Sequence, residues 1–198
     1  MAATLDSSDV NAEQLARTIS EAMAPWVLNI GFFVVLGAHT SSWAPALTAA
    51  IGTGVVPMLL ILALMRMGRV GNHHVTARSQ RSLVYLGIFI CVVGLIAVLA
   101  WLDTPRLIWV GVLSALVFLV VFGLVTLRIK ASVHVGLWVC LIVFLGLAVS
   151  PWWFVGLLLT PVTAWARIRI RHHTIPEITA GAVAGVVLTT ICYWAFLT

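Results

Sequence analysis

The sequence predicts an all-α protein of the polytopic transmembrane class, a bundle of six to seven membrane-spanning helices. Hydrophobic residues make up 62% of the 198 residues and charged residues only 9%. The mean hydropathy of +1.14 is far above that of a soluble globular protein. Apolar stretches long enough to span a bilayer as helices recur seven times. They cover residues 23–40, 44–66, 83–102, 106–127, 132–149, 151–168 and 177–197.

Short polar or proline-containing breaks separate these stretches. A turn is expected within residues 37–45, and Gly52, Gly54 and Pro57 favour a bend inside the second stretch. Residues 103–106 predict a tight turn between the third and fourth stretches, and Pro151 follows the fifth.

The N-terminal residues differ from the rest of the chain. Residues 1–22 hold four of the six acids and lack the basic start and apolar core of a signal peptide. We expect residues 1–22 to form a cytosolic lead-in or an amphipathic helix. Residues 23–198 are expected to form a single membrane domain.

Basic residues concentrate on one side of the predicted bundle. When the spans alternate in direction, nine of the eleven Lys and Arg residues fall on one face. The positive-inside tendency makes that face cytoplasmic in a multi-pass protein of the cell membrane. A basic active site would produce the same pattern, so the clustering also marks a candidate site.

The densest chemistry lies before the last span, where Arg167, His173 and Glu177 have the spacing R-x5-H-x3-E. On a helix, His173 and Glu177 lie one turn apart, so the carboxylate can accept the imidazole proton and fix its tautomer. A histidine held in this way is a better nucleophile. Alternatively, Thr174 and Glu177 form a capping box, and both roles are compatible.

A second cluster, Lys130, Ser132 and His134, opens the fifth span. Backbone N–H groups at a helix N-terminus bind anions, and these side chains would hold a phosphate and protonate its leaving oxygen. The alternative makes Ser132 an ordinary N-cap and Lys130 a topology signal.

A third cluster occupies the basic loop of residues 66–81. Arg78 and Arg81 face the same way if that segment is helical, and arginine suits bidentate phosphate binding. The alternative is a solvated loop. No acid or cysteine accompanies His73 and His74, so we expect no metal site there.

The ordered motifs resemble those of the type 2 phosphatidic acid phosphatase (lipid phosphate phosphatase) family, particularly a compact, actinobacterial-looking branch. That family carries K-x6-R-P, then P-S-G-H, then S-R-x5-H-x3-D. The matching segments here span about residues 66–185. The resemblance implies a phosphatase-like helical core and metal-independent hydrolysis of membrane phosphate esters.

By this resemblance His173 is the nucleophile, Glu177 the acid that orients it and His134 the general acid. Phosphate ligands would come from all three clusters: Arg167, Lys130, Ser132, Arg78, Arg81 and His74. The chain departs from the family motifs, because Ala131, Val133 and Ala166 replace proline, glycine and serine and Glu177 replaces aspartate. No K-x6-R-P is present, and His74 stands seven residues before Arg81, where the lysine would be.

The sequence therefore predicts a membrane lipid phosphatase that forms a phosphohistidine. Its substrate would be a phosphomonoester or diphosphate lipid such as phosphatidate, a phosphatidylglycerol phosphate or a polyprenyl phosphate. We expect the lipid bilayer as its surroundings and no cofactor, metal or nucleic acid. Two alternatives stay open: a transporter or anion-binding membrane protein, and a catalytically inactive member of the same fold.

Overall fold

The computed structural model describes residues 7–73, 75 and 77–197, with the side chains of all of these except residues 7, 8 and 78. In this part of the chain every regular element is helical. The α-helices are α1 Ser7–Ala22, α2 Pro25–Thr40, α3 Trp43–Ala50, α4 Val56–Arg66, α5 Arg78–Leu99, α6 Arg106–Thr126, α7 Val133–Ala148, α8 Thr160–Arg169 and α9 Ile175–Phe196. A π-helical turn, Ile51–Val55, joins α3 to α4, and a 3₁₀ segment, Pro151–Leu159, leads into α8.

Four helices in the described residues are long and apolar enough to cross a membrane. They are Trp43–Arg66, Ser79–Leu99, Arg106–Thr126 and Ile175–Phe196. The number becomes five if Asp9–Ala22 and Pro25–Thr40, which are bent by 47° relative to each other, form one span. The predicted class of helical membrane protein is thereby confirmed.

Two of the seven predicted stretches take other forms. Residues 133–148 make α7, an apolar helix of 16 residues. Residues 151–169 make the 3₁₀ segment and α8, with helical backbone angles at their junction. The predicted breaks after α5 and α7 are present, since α6 begins at Arg106 and the 3₁₀ segment begins at Pro151.

A π-helical turn, Ile51–Val55, occupies the position at which a bend was predicted in the second stretch. Residues 43–66 continue as one helix of 24 residues through this turn. A Cβ on Gly54 would lie 2.8 Å from the carbonyl oxygen of Trp26, so glycine allows this turn to approach α2 closely. Helices commonly widen into a π turn near functional sites.

Helix α7 is the centre of the bundle. Twelve of its 16 residues are buried, chiefly against α9 and the 3₁₀ segment. Because protein surrounds it, its length of roughly 24 Å does not have to match the thickness of a bilayer.

Glycines set the short distance between α7 and α9. A Cβ on Gly185 would lie 2.5 Å from the carbonyl oxygen of Gly136, and one on Gly181 would lie 2.6 Å from that of Ser132. Small residues permit such backbone contact between membrane helices. The amide of Ser132 also donates to the carbonyl oxygen of Glu177 at 3.0 Å, so the starts of α7 and α9 are held together.

Candidate functional site

A cavity of about 160 Å³ lies where the basic segments of the chain meet. This is far more than the roughly 10–15 Å³ that one water molecule needs. Its charged and imidazole-bearing lining comes from four different places in the sequence: His73, Arg81, His134, Arg167 and His173. Most of the remaining lining is apolar and includes Ile61, Val84, Ile88, Val92, Phe118, Leu119 and Leu137. The cavity therefore joins a basic end to a hydrocarbon-like wall.

Arg167 is the largest fully buried side chain among the described residues, with an exposed fraction of 1%. Its Nη1 donates to the hydroxyl of Ser20 at 2.5 Å, and its Nε has no partner among the described residues. The guanidinium group is thus held by a neutral oxygen and keeps a buried donor available.

Arg81 is also buried, with an exposed fraction of 5%. Its Nε donates to the carbonyl oxygen of Val75 at 3.0 Å and its Nη1 to that of Ala131 at 3.3 Å. Val75 has a φ of +46°, which is unfavourable for a β-branched residue. Arg81 therefore links the basic loop of residues 66–81, which has an unusual backbone conformation at Val75, to the second cluster.

His173 and Glu177 make the contact that their spacing predicts. The Nδ1 of His173 and the Oε2 of Glu177 lie 3.0 Å apart. A carboxylate accepts, so Nδ1 carries the proton and Nε2 is the lone-pair nitrogen. Glu177 also accepts from the backbone amide of Thr174 at 3.2 Å and completes a capping box. Both predicted roles of Glu177 are therefore present at once.

The turn after α8 fixes His173 relative to Arg167. Arg171 adopts a left-handed conformation, with φ of 56°, and ends the helix. The amides of His172 and His173 then donate to the carbonyl oxygen of Arg167 at 3.1 and 3.2 Å. Lys130 clamps the same turn, because its Nζ donates to the carbonyl oxygen of His172 at 2.9 Å.

The site keeps His173 neutral. Burial lowers its pKa from 6.5 to about 3, and the positive charges of Arg167, Arg81 and Lys130 act in the same direction. A hydrogen bond to the backbone of Lys130 opposes this shift. A neutral imidazole has one lone-pair nitrogen at physiological pH, as a nucleophile requires.

His134 lies in the first turn of α7, is buried and lines the cavity. Ser132 precedes it at the N-cap position, but its hydroxyl makes no capping bond and has no partner among the described residues. Ser132 is therefore not an ordinary side-chain N-cap.

The predicted phosphate ligands divide into three groups. Arg81 and Arg167 line the cavity, whereas Lys130 and Ser132 are not part of its lining. Arg78 begins α5, but its side chain and the whole of His74 lie outside the described residues. For all six residues phosphate binding stays a prediction.

Sequence reasoning missed the contribution of α1. Besides Ser20, this helix brings Glu21, whose Oε1 lies 2.9 Å from the Nε2 of His73, and Asp9, whose Oδ1 accepts from Arg169 at 2.5 Å. The available signal was charge. Four of the six acids precede residue 22, where Arg17 is the one basic residue, so most of these acids need partners from the basic loops. Sequence reasoning also missed the G-x-x-x-G spacing of Gly181 and Gly185.

No protein-family model, no curated protein and no solved structure matches this chain. The resemblance to the type 2 phosphatidic acid phosphatases therefore depends on the motif residues themselves.

Proposed function

We propose that the protein is an integral membrane lipid phosphatase that works without a metal and through a phosphohistidine. The observation that carries this proposal is the composition of one cavity. Its basic end holds Arg81, Arg167, His134 and His173, and its wall is apolar.

The charge of the cavity favours an anionic ligand. Arg81 and Arg167 are buried, and the ion pairs of the described residues do not include either of them. The carboxylates of Glu21 and Glu177 supply some opposing charge to Arg167 and Arg81. Buried charge outside an ion pair is still costly in a membrane protein and marks a functional site. A phosphate group would supply the missing negative charge and accept from both guanidinium groups.

His173 is suited to attack phosphorus. Its Nε2 carries the lone pair, because Nδ1 donates to Glu177 at 3.0 Å. In the proposed reaction a bond forms between Nε2 and phosphorus while the bond from phosphorus to the lipid oxygen breaks. Glu177 stabilises the positive charge that develops on the imidazole.

His134 is the proposed general acid. It gives a proton to the departing lipid oxygen and then accepts one from the water molecule that hydrolyses the phosphohistidine. Free phosphate leaves, and both histidines return to their starting states. Arg81 and Arg167 stabilise the equatorial phosphoryl oxygens throughout.

The apolar wall supports a lipid rather than a soluble phosphate ester. Apolar side chains of α5, α6 and α7 line the same cavity as the basic groups, among them Val92, Phe118 and Leu137. Such a wall suits the hydrocarbon portion of phosphatidate, a phosphatidylglycerol phosphate or a polyprenyl phosphate.

We infer six to seven membrane spans and a phosphatidic acid phosphatase type 2-like core, with the basic loops in the cytoplasm. Support comes from the pairing of chain segments. The loops before α5, before α7 and before α9 contact one another through Arg81 and Lys130. At another point, Arg106 at the start of α6 donates to the carbonyl oxygen of Phe196 at the end of α9. Alternating spans would produce this arrangement.

A phosphate-release screen tests the proposed function. The purified chain in detergent is offered phosphatidate, phosphatidylglycerol phosphate, and polyprenyl mono- and diphosphates, with His173→Ala beside it. We expect release from at least one lipid by the parent and none by the variant. A transporter needs a sealed compartment, so release in detergent separates it from an enzyme. No release from any of these lipids by folded parent protein would contradict the proposal.

A further inference from the structure

Helix α1 contacts the basic end of the cavity at two consecutive residues. The hydroxyl of Ser20 accepts from Nη1 of Arg167 at 2.5 Å. The carboxylate of Glu21 lies 2.9 Å from Nε2 of His73. Both Arg167 and His73 line the cavity, and they belong to segments almost a hundred residues apart in the sequence.

The position of α1 follows from its helical spacing. Asp9, Ala16 and Ser20 are separated by seven and four residues, so they share one face of the helix. Ala16 and Ser20 are buried, and Asp9 is anchored to Arg169 at 2.5 Å. Thr18 lies on the opposite face of the helix and is exposed, as this placement requires.

The chemistry of Ser20 suits a residue that positions a phosphate ligand. A buried arginine must have its donors satisfied. A carboxylate at residue 20 would satisfy Nη1 but cancel the charge and compete with a phosphate. A hydroxyl satisfies Nη1 and does not neutralise the guanidinium. In addition, Nε of Arg167 has no partner among the described residues. Ser20 is itself almost completely buried, with 1% exposed.

We propose that α1 completes the phosphate end of the cavity and that Ser20 is a positioning residue, which holds the Arg167 guanidinium ready for the anion. The inference rests on the proposed function in one respect, namely that the anion is a phosphoryl group. It assigns to residues 7–22 a role in ligand binding.

Two substitutions at Ser20 separate positioning from structural support. Ser20→Ala removes the acceptor, whereas Ser20→Asp keeps an acceptor and adds a negative charge. Thr18 offers matched controls, because its hydroxyl lies on the exposed side of the same helix and donates to the carbonyl oxygen of Gln14. Binding of orthovanadate and of inorganic phosphate to the full chain in detergent is measured by calorimetry, together with the melting temperature without ligand.

We expect Ser20→Ala to weaken orthovanadate binding about tenfold, as for the loss of a hydrogen bond to a charged group. Ser20→Asp should melt at or above the temperature of the parent and yet bind orthovanadate more weakly than Ser20→Ala does. If α1 only supports the fold, Ser20→Asp should bind orthovanadate as tightly as the parent does. Thr18→Ala and Thr18→Asp should bind like the parent.

The outcomes distinguish this inference from the proposed function. Parental affinity in both folded Ser20 variants would overturn the role of Ser20, whatever the parent hydrolyses. If Ser20→Ala does not fold, parental affinity of Ser20→Asp for orthovanadate would by itself overturn the role of Ser20. A parent that binds orthovanadate but cleaves no lipid phosphate would overturn the phosphatase reaction and leave the role of α1 standing. A parent that neither binds orthovanadate nor releases phosphate would overturn both.

Discussion

His173 lies just before the N-cap of α9 and Glu177 lies in the first turn of that helix, with Nδ1 and Oε2 separated by 3.0 Å. The same carboxylate oxygen accepts from the backbone amide of Thr174 at 3.2 Å. One acid therefore starts the last helix and orients the proposed nucleophile. Substitution of this residue can separate the two roles.

Glu177→Gln is predicted to lower kcat on the order of 100-fold, the upper range for the loss of an orienting partner of a functional histidine. Glutamine also serves in a capping box, so the melting temperature should change little. Phosphate release and thermal unfolding measure the two effects. A parental kcat in Glu177→Gln would mean that Glu177 only caps the helix.

Arg167→Met is predicted to lose phosphate binding without losing stability. Removing a buried charge that is in no ion pair of the described residues should maintain or raise the melting temperature of the ligand-free protein. The variant should lose the stabilisation that inorganic phosphate gives to the parent. Arg106→Met is the control, since Arg106 is exposed and contacts the carbonyl oxygen of Phe196 instead. Phosphate-dependent stabilisation of Arg167→Met equal to that of the parent would contradict the assignment.

The protein is predicted to lose stability in mild acid because of His173. Its pKa is about 3 in the folded state against 6.5 for an ordinary histidine, so the unfolded chain binds the proton first. The stability that depends on a neutral His173 is fully present above about pH 6.5 and decreases as the pH falls from there towards 3. At pH 5 the loss is about 2 kcal/mol for this residue. His172 acts in the same direction, because burial lowers its pKa to about 4.

Melting temperatures between pH 7.5 and 4.5 measure this effect. His173→Gln should show a flatter dependence than the parent, since glutamine does not titrate. The same slope in both proteins would show that His173 is not held neutral by the fold.

Gly181→Ala is predicted to destabilise the protein and to reduce phosphate binding. The added Cβ would lie 2.6 Å from the carbonyl oxygen of Ser132, and backbone atoms there cannot move aside without separating α7 from α9. That separation would shift His134 relative to His173. Gly94→Ala is the matched control, because a Cβ at Gly94 in α5 meets no atom within 4 Å. Equal stability of the two variants would contradict the close packing of α7 on α9.

The sequence predicted those parts of the site that depend on local spacing. The interval of four residues between His173 and Glu177 predicted their contact, which is present, although His173 lies before the N-cap of α9 and not on the helical turn that was expected. Hydropathy likewise predicted the helical membrane class and the breaks before Arg106 and Pro151. The predicted meeting of the basic loops is seen in the cavity lined by Arg81, His134 and Arg167.

Contacts between distant segments were beyond such reasoning. Ser20 and Arg167 are separated by 147 positions, and no local periodicity links them. Lys130 was predicted to bind phosphate, but its ammonium group donates to the carbonyl oxygen of His172, an acceptor that a sequence does not display. The membrane-capable helices are fewer than the apolar stretches because α7, which protein surrounds, can be shorter than a bilayer is thick.

The central claim is that His173 carries the phosphoryl group during turnover. Lipid phosphate labelled at its terminal phosphorus is mixed with the purified chain, quenched in alkali within one turnover and digested for mass spectrometry. We predict an acid-labile phosphoryl group on the peptide that contains His173 in the parent. Active protein with label on another residue, or with turnover and no label on His173 at any time point, would contradict the account.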